Sequence, residues 1–309
     1  MGNCIYNNNT ELELEIFFSR IRKNLDKTEI LQILKKVEVI STKHFNEPKI
    51  LKKLLEITNE IFASYYYSKK PQKNMIIYLK ESIYKLTNKL TLAIALISDN
   101  QSKYFDYTFF VIKIDSIPEN LTKHPDESYN LTVDLQNIKL TINFPLSLLF
   151  PNKTSLEKTN KTTYLLQLIV WKLDFAGIFE NTFSNLFSFD IFNKNTKKKL
   201  VFFNLPTFTF KFIIPKLNIY KYSKNTRKHR RIQCQFWNKT LLKWQNQGCI
   251  FKGFNREMNS FVCLCNHLTE FRVGASERSR HLQNTTNSSS NANYVHQEVS
   301  LFSLFLFLQ

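Results

Sequence analysis

The stretch between residues 234 and 271 constrains this chain more than any other part of its sequence. It holds four of the five cysteines, two of the three tryptophans and the run Cys-Leu-Cys-Asn-His-Leu-Thr. Cysteines at this density are typical of a disulfide-bonded module in an oxidising compartment rather than of a cytosolic enzyme. Spacing alone leaves three connectivities open. Half of a zinc site is an alternative interpretation of Cys-x-Cys before a histidine, although Cys234 and Cys249 lack paired ligand spacing.

The run ends with a base two residues before a hydroxyl, His267 and Thr269, and one scissile peptide bond, after Leu268, lies between them. A neutral imidazole, with an ordinary pKa of about 6.5, accepts the proton of a nearby hydroxyl. The Thr269 oxygen would attack the Leu268 carbonyl carbon, giving an ester that water hydrolyses. Because planar amides resist such attack, the reaction requires a distorted backbone held by its surroundings. His267, Leu268 and Thr269 are therefore the predicted catalytic set for a cut in cis, without turnover on other substrates.

The order Cys-x-Phe-Trp, Trp-x3-Gly-Cys, Cys-x-Cys and His-Leu-Thr resembles the GPS motif of adhesion-type receptors and polycystin-like membrane proteins. In those proteins the motif closes a GAIN domain. The resemblance implies a cut after Leu268, although some domains of the family keep the fold without the cut. It also implies two crossed disulfides, Cys234–Cys263 and Cys249–Cys265. The remaining motif residues are expected to form a small core: Phe236, Trp237, Trp244 and Gly248.

An N-terminal helical subdomain is predicted over residues 10–98, after a disordered segment at 1–9. Apolar residues recur there at steps of three and four, which indicates a helix with one buried face. They are Ile76, Leu79, Ile83, Leu86, Leu90, Ala93 and Ile97. Another helix is predicted to begin near Asn46 with Pro48 in its first turn. Its apolar positions are Ile50, Leu54, Ile57, Ile61 and Tyr65.

A twisted antiparallel β-sandwich is predicted over residues 100–275, with the GPS motif at 231–273 as its last strands. Short runs rich in Phe, Ile and Val, separated by turn-forming residues, carry this prediction. They are Tyr104 to Ile114, Leu131 to Leu135, Ile138 to Ile142, Tyr164 to Trp171, Phe183 to Phe192, Leu200 to Phe203 and Phe208 to Ile214. The fold class is therefore α+β: helices first, then a GAIN-like sandwich.

The segment after the predicted cut, Thr269 to about Ala275, is expected to be a strand of that sandwich. Alternation puts Phe271 and Val273 on one face and Glu270 and Arg272 on the other. By the resemblance, pairing of this strand with its neighbours keeps the two fragments together without a covalent link. Arg272 and Gly274 depart from the more apolar tethered agonist of adhesion receptors.

The composition fits an extracellular location. Nine Asn-x-Ser/Thr sequons occur in the chain, and the asparagine-rich composition makes several of them chance matches. The glycosylation candidates are Asn100, Asn120, Asn130, Asn152, Asn160 and Asn238. Against this location, no signal peptide is recognisable, and Cys4 has no assigned role. We predict a protein associated with the membrane at the cell surface.

The C-terminal end is predicted to be a polar linker, 276–298, followed by a short apolar tail, 299–309. The apolar run from Val299 to Leu308 is shorter than the roughly 20 residues of a spanning helix. It is interpreted as a clipped transmembrane segment, an anchor signal or neither.

The formal charge of +18 raises the question of nucleic-acid binding. The basic run from Lys221 to Arg231 is interpreted as a solvated loop, with a nuclear signal, a heparin-like patch and a processing site as alternatives. Because no nucleic-acid module accompanies it, no nucleic-acid partner is expected. The expected partners are the chain's own C-terminal fragment, a downstream membrane segment and an extracellular protein or acidic glycan. No cofactor and no metal are expected.

Three functions are compatible with these features. The first is a self-cleaving extracellular stalk domain with a role in cell-surface signalling or adhesion. The second is an uncleaved structural or adhesive module of the same fold. The third, suggested by charge alone, is a soluble basic binding protein.

Overall fold

The computed structural model describes residues 16, 19, 25–67, 72–96, 102–117, 128–135, 138–149, 164–172, 182–202, 210–216, 231–241 and 243–275. All of them belong to the first of two compact units, Met1–Ser276. Several sequence-based predictions fall outside these ranges: Cys4, Ile97, the sequons at Asn100, Asn120, Asn152 and Asn160, the basic run before Arg231, the linker and the apolar tail.

Among the described residues, three long helices come first: α1 (Lys27–Lys43), α2 (Pro48–Tyr66) and α3 (Lys73–Leu96). Helix α1 begins with a capping box, in which the Asp26 carboxylate accepts the Glu29 amide at 2.8 Å and Glu29 accepts the Asp26 amide at 2.9 Å. Helix α2 begins at Pro48, whose fixed φ suits the first helical turn. The predicted apolar stripe of α3 is buried from Ile76 to Ala93. Within the described ranges no helix is long and apolar enough to cross a bilayer.

Thirteen strands follow in the part of the chain that the structure describes, and a 3₁₀ turn at Leu146–Leu148 comes directly after the fourth of them. They are β1 (Lys103–Asp106), β2 (Phe110–Ser116), β3 (Ser128–Leu135), β4 (Ile138–Pro145), β5 (Tyr164–Trp171), β6 (Phe187–Asn193), β7 (Lys198–Lys199), β8 (Phe210–Pro215), β9 (Ile232–Asn238), β10 (Lys243–Gln245), β11 (Cys249–Asn255), β12 (Ser260–Cys265) and β13 (Glu270–Ala275). One sheet has eight strands in the order β1-β2-β5-β6-β13-β9-β10, with β7 also paired to β6. The other has five, in the order β11-β12-β8-β4-β3.

The run from Tyr104 to Ile114, predicted as one strand, forms the two strands of a hairpin. Strand β1 folds back on β2 so that Lys103 pairs with Ile114. The Tyr107 amide donates to the Phe110 carbonyl at 2.9 Å and closes the turn. Folding back pairs the outer edge of β2 with β1, so that the shorter β1 becomes the edge strand of the sheet.

The helices and the two sheets form three layers around two cores. One core lies between the sheets and contains the rings of Phe187 and Phe212, with centroids 5.2 Å apart. The other joins the helices to the outer face of the eight-stranded sheet. It includes Phe62 of α2 and Phe109, in the turn between β1 and β2, whose ring centroids are 5.3 Å apart. The predicted fold class, α+β with N-terminal helices and an antiparallel β-sandwich, is confirmed.

Candidate functional site

The predicted catalytic residues lie in a short crossing from one sheet to the other, which we call the crossing segment (residues 266–269). Strand β12 belongs to the five-stranded sheet and ends at Cys265, whereas β13 belongs to the eight-stranded sheet and begins at Glu270. Sheets packed face to face lie about 10 Å apart. Four residues cover this distance, so the position of each depends on both sheets.

Two disulfides flank the crossing segment, with the pairing that the resemblance implies. Cys234 of β9 is bonded to Cys263 of β12, with their Cα atoms 5.9 Å apart, and this bond joins the two sheets. Cys249 of β11 is bonded to Cys265 of β12, its partner in the strand register, with Cα atoms 4.2 Å apart. Because all four sulfurs are in disulfides, they are not the thiolates that a zinc site needs.

His267 lies in a partly buried aromatic environment. Its ring packs edge-on against Phe236, with centroids 4.4 Å apart, and lies 5.8 Å from the Phe271 ring. Burial disfavours the charged imidazolium and lowers the pKa of His267 below its ordinary value of 6.5. The imidazole is therefore neutral at neutral pH, as a general base must be.

The neighbour Asn266 selects the tautomer of this imidazole. The Asn266 Oδ1 atom lies 2.9 Å from His267 Nδ1. An amide oxygen only accepts, so Nδ1 of the neutral ring carries the proton and Nε2 carries the lone pair. The Nε2 atom is buried and has no hydrogen-bond partner among the described residues. An unsatisfied buried acceptor is uncommon and calls for an explanation, such as a role in proton transfer.

Gly248 makes room for the Asn266 and His267 pair. It has φ of +78°, and a Cβ atom there would lie 2.4 Å from Asn266 Oδ1 and 3.0 Å from His267 Nδ1. Its carbonyl accepts the Asn266 amide at 3.0 Å. The glycine of the Trp-x3-Gly-Cys motif is thus required both for its left-handed backbone and for the close approach of the histidine.

The Thr269 hydroxyl is held weakly. Its Oγ1 donates to the Trp237 carbonyl at 3.5 Å, which is long for an O–H···O bond. Leu268, on the other side of the scissile bond, packs against the core between the sheets. None of the described hydrogen bonds links Thr269 Oγ1 to the His267 ring. The three predicted residues, which are consecutive in the chain, thus lie in the crossing segment, where the described hydrogen bond of the Thr269 hydroxyl is this long one.

The strand after the crossing segment is a central strand of the eight-stranded sheet. Strand β13 pairs antiparallel with β6 on one side and β9 on the other, and all six of its residues are buried. Phe271 and Val273 face the core between the sheets, where the Phe271 ring lies 4.6 Å from that of Phe212. Arg272, which departs from the apolar family pattern, donates to Gln235 at 2.9 Å and to Thr182 at 2.7 Å.

The two motif tryptophans pack together, but their contacts extend beyond the hairpin that carries them. Trp237 and Trp244 face each other across β9 and β10, with ring centroids 5.3 Å apart. Trp237 is buried in the core between the helices and the eight-stranded sheet. The Arg272 guanidinium lies 4.3 Å from the Trp244 ring. The pair therefore links the motif to the helical layer as well as forming its local core.

Sequence reasoning did not identify several residues around the site. Asn266 stands inside the motif, and its position next to His267 was the available signal. The Trp237 carbonyl is a backbone group with no sequence signature. Lys80 of α3, which bonds to Glu270, is 190 residues away along the chain and becomes a neighbour only in the folded protein.

Comparison with protein families identifies the C-terminal part of this unit. Residues 182–277 match the family model of the GPS, described as GAIN subdomain B. The predicted GAIN/GPS domain is therefore confirmed, and it is the kind of domain found in adhesion-like receptors and in extracellular regions of membrane proteins. No curated protein matches the chain.

Proposed function

We propose that this GAIN-type domain cuts its own backbone between Leu268 and Thr269. The observation that carries the proposal is the buried Nε2 of a neutral His267, which has no hydrogen-bond partner in the part of the chain that the structure describes and lies two residues before a weakly held threonine hydroxyl. The inter-sheet disulfide Cys234–Cys263 supports it, because the bond fixes the sheets at both ends of the crossing segment. Catalysis by positioned groups needs such fixed geometry.

In the first step Nε2 takes the hydroxyl proton of Thr269 while Oγ1 attacks the Leu268 carbonyl carbon. The tetrahedral intermediate collapses as the C–N bond breaks, and the imidazolium returns its proton to the leaving amine. Leu268 is then joined to Thr269 by an ester. Water attacks the ester carbonyl, leaving a carboxylate on Leu268 and restoring the hydroxyl of Thr269, now a free N-terminal residue.

The two fragments stay associated after the cut. Strand β13 would belong to the C-terminal fragment, yet its neighbours β6 and β9 belong to the N-terminal one. Ladder hydrogen bonds on both sides and the buried side chains of Phe271 and Val273 oppose its release. The partner of the C-terminal fragment is therefore the rest of its own domain.

The domain acts outside the cell as part of a membrane-associated protein with a role in signalling or adhesion. The two disulfides support an oxidising compartment. Of the glycosylation candidates, Asn130 is exposed on β3, whereas Asn238 is partly buried and donates to Gln245 at 2.6 Å. Peptide mass mapping after enzymatic deglycosylation in water labelled with heavy oxygen tests these two sites, and we expect higher occupancy at Asn130.

The test of self-cleavage is the intact mass of the denatured domain after expression through a eukaryotic secretory route. Wild type should give two fragments, the smaller beginning at Thr269. Thr269→Val, which keeps the shape and loses the hydroxyl, should give one chain, and Thr269→Ser should still be cut. Loss of general-base help in His267→Ala should slow the cut by about 10²–10⁴-fold.

His44→Ala is the histidine control, because that residue lies in the turn after α1 and its ring contacts Glu47. It should leave cleavage unchanged. A cut at the same bond in Thr269→Val would assign the reaction to a separate protease and refute self-cleavage. A single wild-type chain with both disulfides intact would leave an uncleaved structural or adhesive module as the function.

A further inference from the structure

Helix α3 supplies a charged side chain that reaches the start of the strand after the scissile bond. We propose that Lys80 is a positioning residue for the cut at Thr269. Lys80 contacts two neighbours of Thr269: Glu270, which follows Thr269 in the chain, and Trp237, whose carbonyl accepts the Thr269 hydroxyl. The inference rests on the proposed self-cleavage and assigns to the helical layer a direct part in it.

The first observation is a fully buried ion pair. The Lys80 ammonium donates to the Glu270 carboxylate, and the two side chains are only 1% and 4% exposed. Taking two charges out of water is costly unless they are closely paired. A solvated surface pair would tolerate many geometries, whereas this pair restricts Glu270 to one.

The second observation is the contact between Lys80 and Trp237. The ammonium lies 5.6 Å from the centre of the Trp237 ring, within the range of a cation–π interaction. Phe271 pairs with Phe236 in the register of β13 and β9, which sets Trp237 beside Glu270 on the adjoining strand. Lys80 thus contacts both neighbours of Thr269: Glu270, which is joined to it by the peptide bond, and Trp237, whose carbonyl makes the long contact with its hydroxyl.

These contacts give Lys80 a specific influence on the nucleophile. Without the ammonium, the Glu270 carboxylate would be buried without its charge partner and would have to move towards water or take up a proton. Movement of Glu270 displaces Thr269, one residue away. Misplacement of a reacting group by about 1 Å costs roughly 10²-fold in rate.

A second buried polar contact of α3 provides a matched control. Thr91 donates to Gln167 of β5 at 2.5 Å, and both side chains are buried. This contact also joins α3 to the eight-stranded sheet, but β5 is separated from β13 by β6. Thr91→Val therefore disturbs the docking of α3 without touching the strand that follows the scissile bond.

The experiment follows the cut by pulse–chase labelling of the secreted full chain. We expect Lys80→Met to slow the appearance of the C-terminal fragment by about tenfold or more, and Thr91→Val to leave it unchanged. The charge-reversed double variant Lys80→Glu with Glu270→Lys should recover a large part of the rate, although either single reversal slows it. Urea midpoints of all variants, measured in a Thr269→Ala background, identify losses that follow from general instability.

A second measurement does not depend on cleavage. In the uncut Thr269→Ala background, Lys80→Met should accelerate amide hydrogen exchange of residues 270–272 by about tenfold or more, because the buried carboxylate has lost its charge partner. Thr91→Val should not. Equal cleavage and equal exchange in Lys80→Met and Thr91→Val overturn the inference, as does a slow cut that tracks the urea midpoint alone.

Failure of the proposed function gives a different result. If the wild-type chain stays uncut, self-cleavage is refuted and the exchange measurement alone decides the role of Lys80. Acceleration confined to the start of β13 supports positioning of this strand in the uncut domain. Unchanged exchange refutes it.

Discussion

Removal of the inter-sheet disulfide, Cys234–Cys263, should slow cleavage far more than removal of Cys249–Cys265, which lies within one sheet. The two bonds close chain segments of 29 and 16 residues. On the chain-entropy model they contribute about 3.6 and about 3.1 kcal/mol to stability. Entropy therefore separates them by only about 0.5 kcal/mol, so a difference in cleavage has to come from where the bonds lie.

Their places in the fold differ. The bond from Cys234 to Cys263 connects β9, the neighbour of β13, to β12, and so joins both ends of the crossing segment. Cys249 and Cys265 lie on strands that the β-ladder already pairs, and the Asn266 amide bonds to the Gly248 carbonyl at 3.0 Å independently of the disulfide. Without the second bond the site keeps its backbone support.

The assay compares the paired replacements Cys234→Ala with Cys263→Ala and Cys249→Ala with Cys265→Ala. Both should lose similar stability in urea when measured in a Thr269→Ala background. In the cleavable background, the first pair should be cut more slowly by roughly 10²-fold, and the second by much less. Equal cleavage in the two double variants, or a larger loss in the second, would refute the argument that the inter-sheet bond positions the scissile segment.

Three further results are expected. Because burial lowers the pKa of His267, the unfolded state binds a proton at this residue more readily than the folded state does. The contribution of His267 to stability is therefore fully present above about pH 6.5 and is lost as pH falls towards the lowered pKa. Urea unfolding of Thr269→Ala should show this loss, and His267→Gln in that background should reduce it. Gly248→Ala should suppress cleavage by displacing Asn266 and His267, at a backbone cost of about 1–2 kcal/mol; normal cleavage would show that the ring position is unimportant. Phe271→Ala should cost about 3–5 kcal/mol and release the C-terminal fragment at lower urea, as measured by size-exclusion chromatography of the cut domain; an unchanged release point would mean that β13 is held by its backbone alone.

Much of the architecture could be predicted from local sequence. The apolar period along α3 and the position of Pro48 in α2 follow from helix geometry, and both are found in the structure. The hairpin of β1 and β2 was not predicted, because a continuous β-type run does not indicate where the chain turns back. Strand pairing also lies beyond local pattern, since β13 finds β6 and β9 through contacts distant in sequence.

The sequence by itself determined the chemical inventory of the site: an imidazole, a hydroxyl and four cysteines at spacings that match a known motif. These depend on residue identity and on separations along the chain, which are visible without a fold. Only the tertiary structure decided the tautomer of His267, the burial that lowers its pKa and the arrival of Lys80 beside Glu270. The physical reason is that desolvation and ion pairing depend on which distant segments exclude water from a group, and this is settled only when the helices and both sheets pack together.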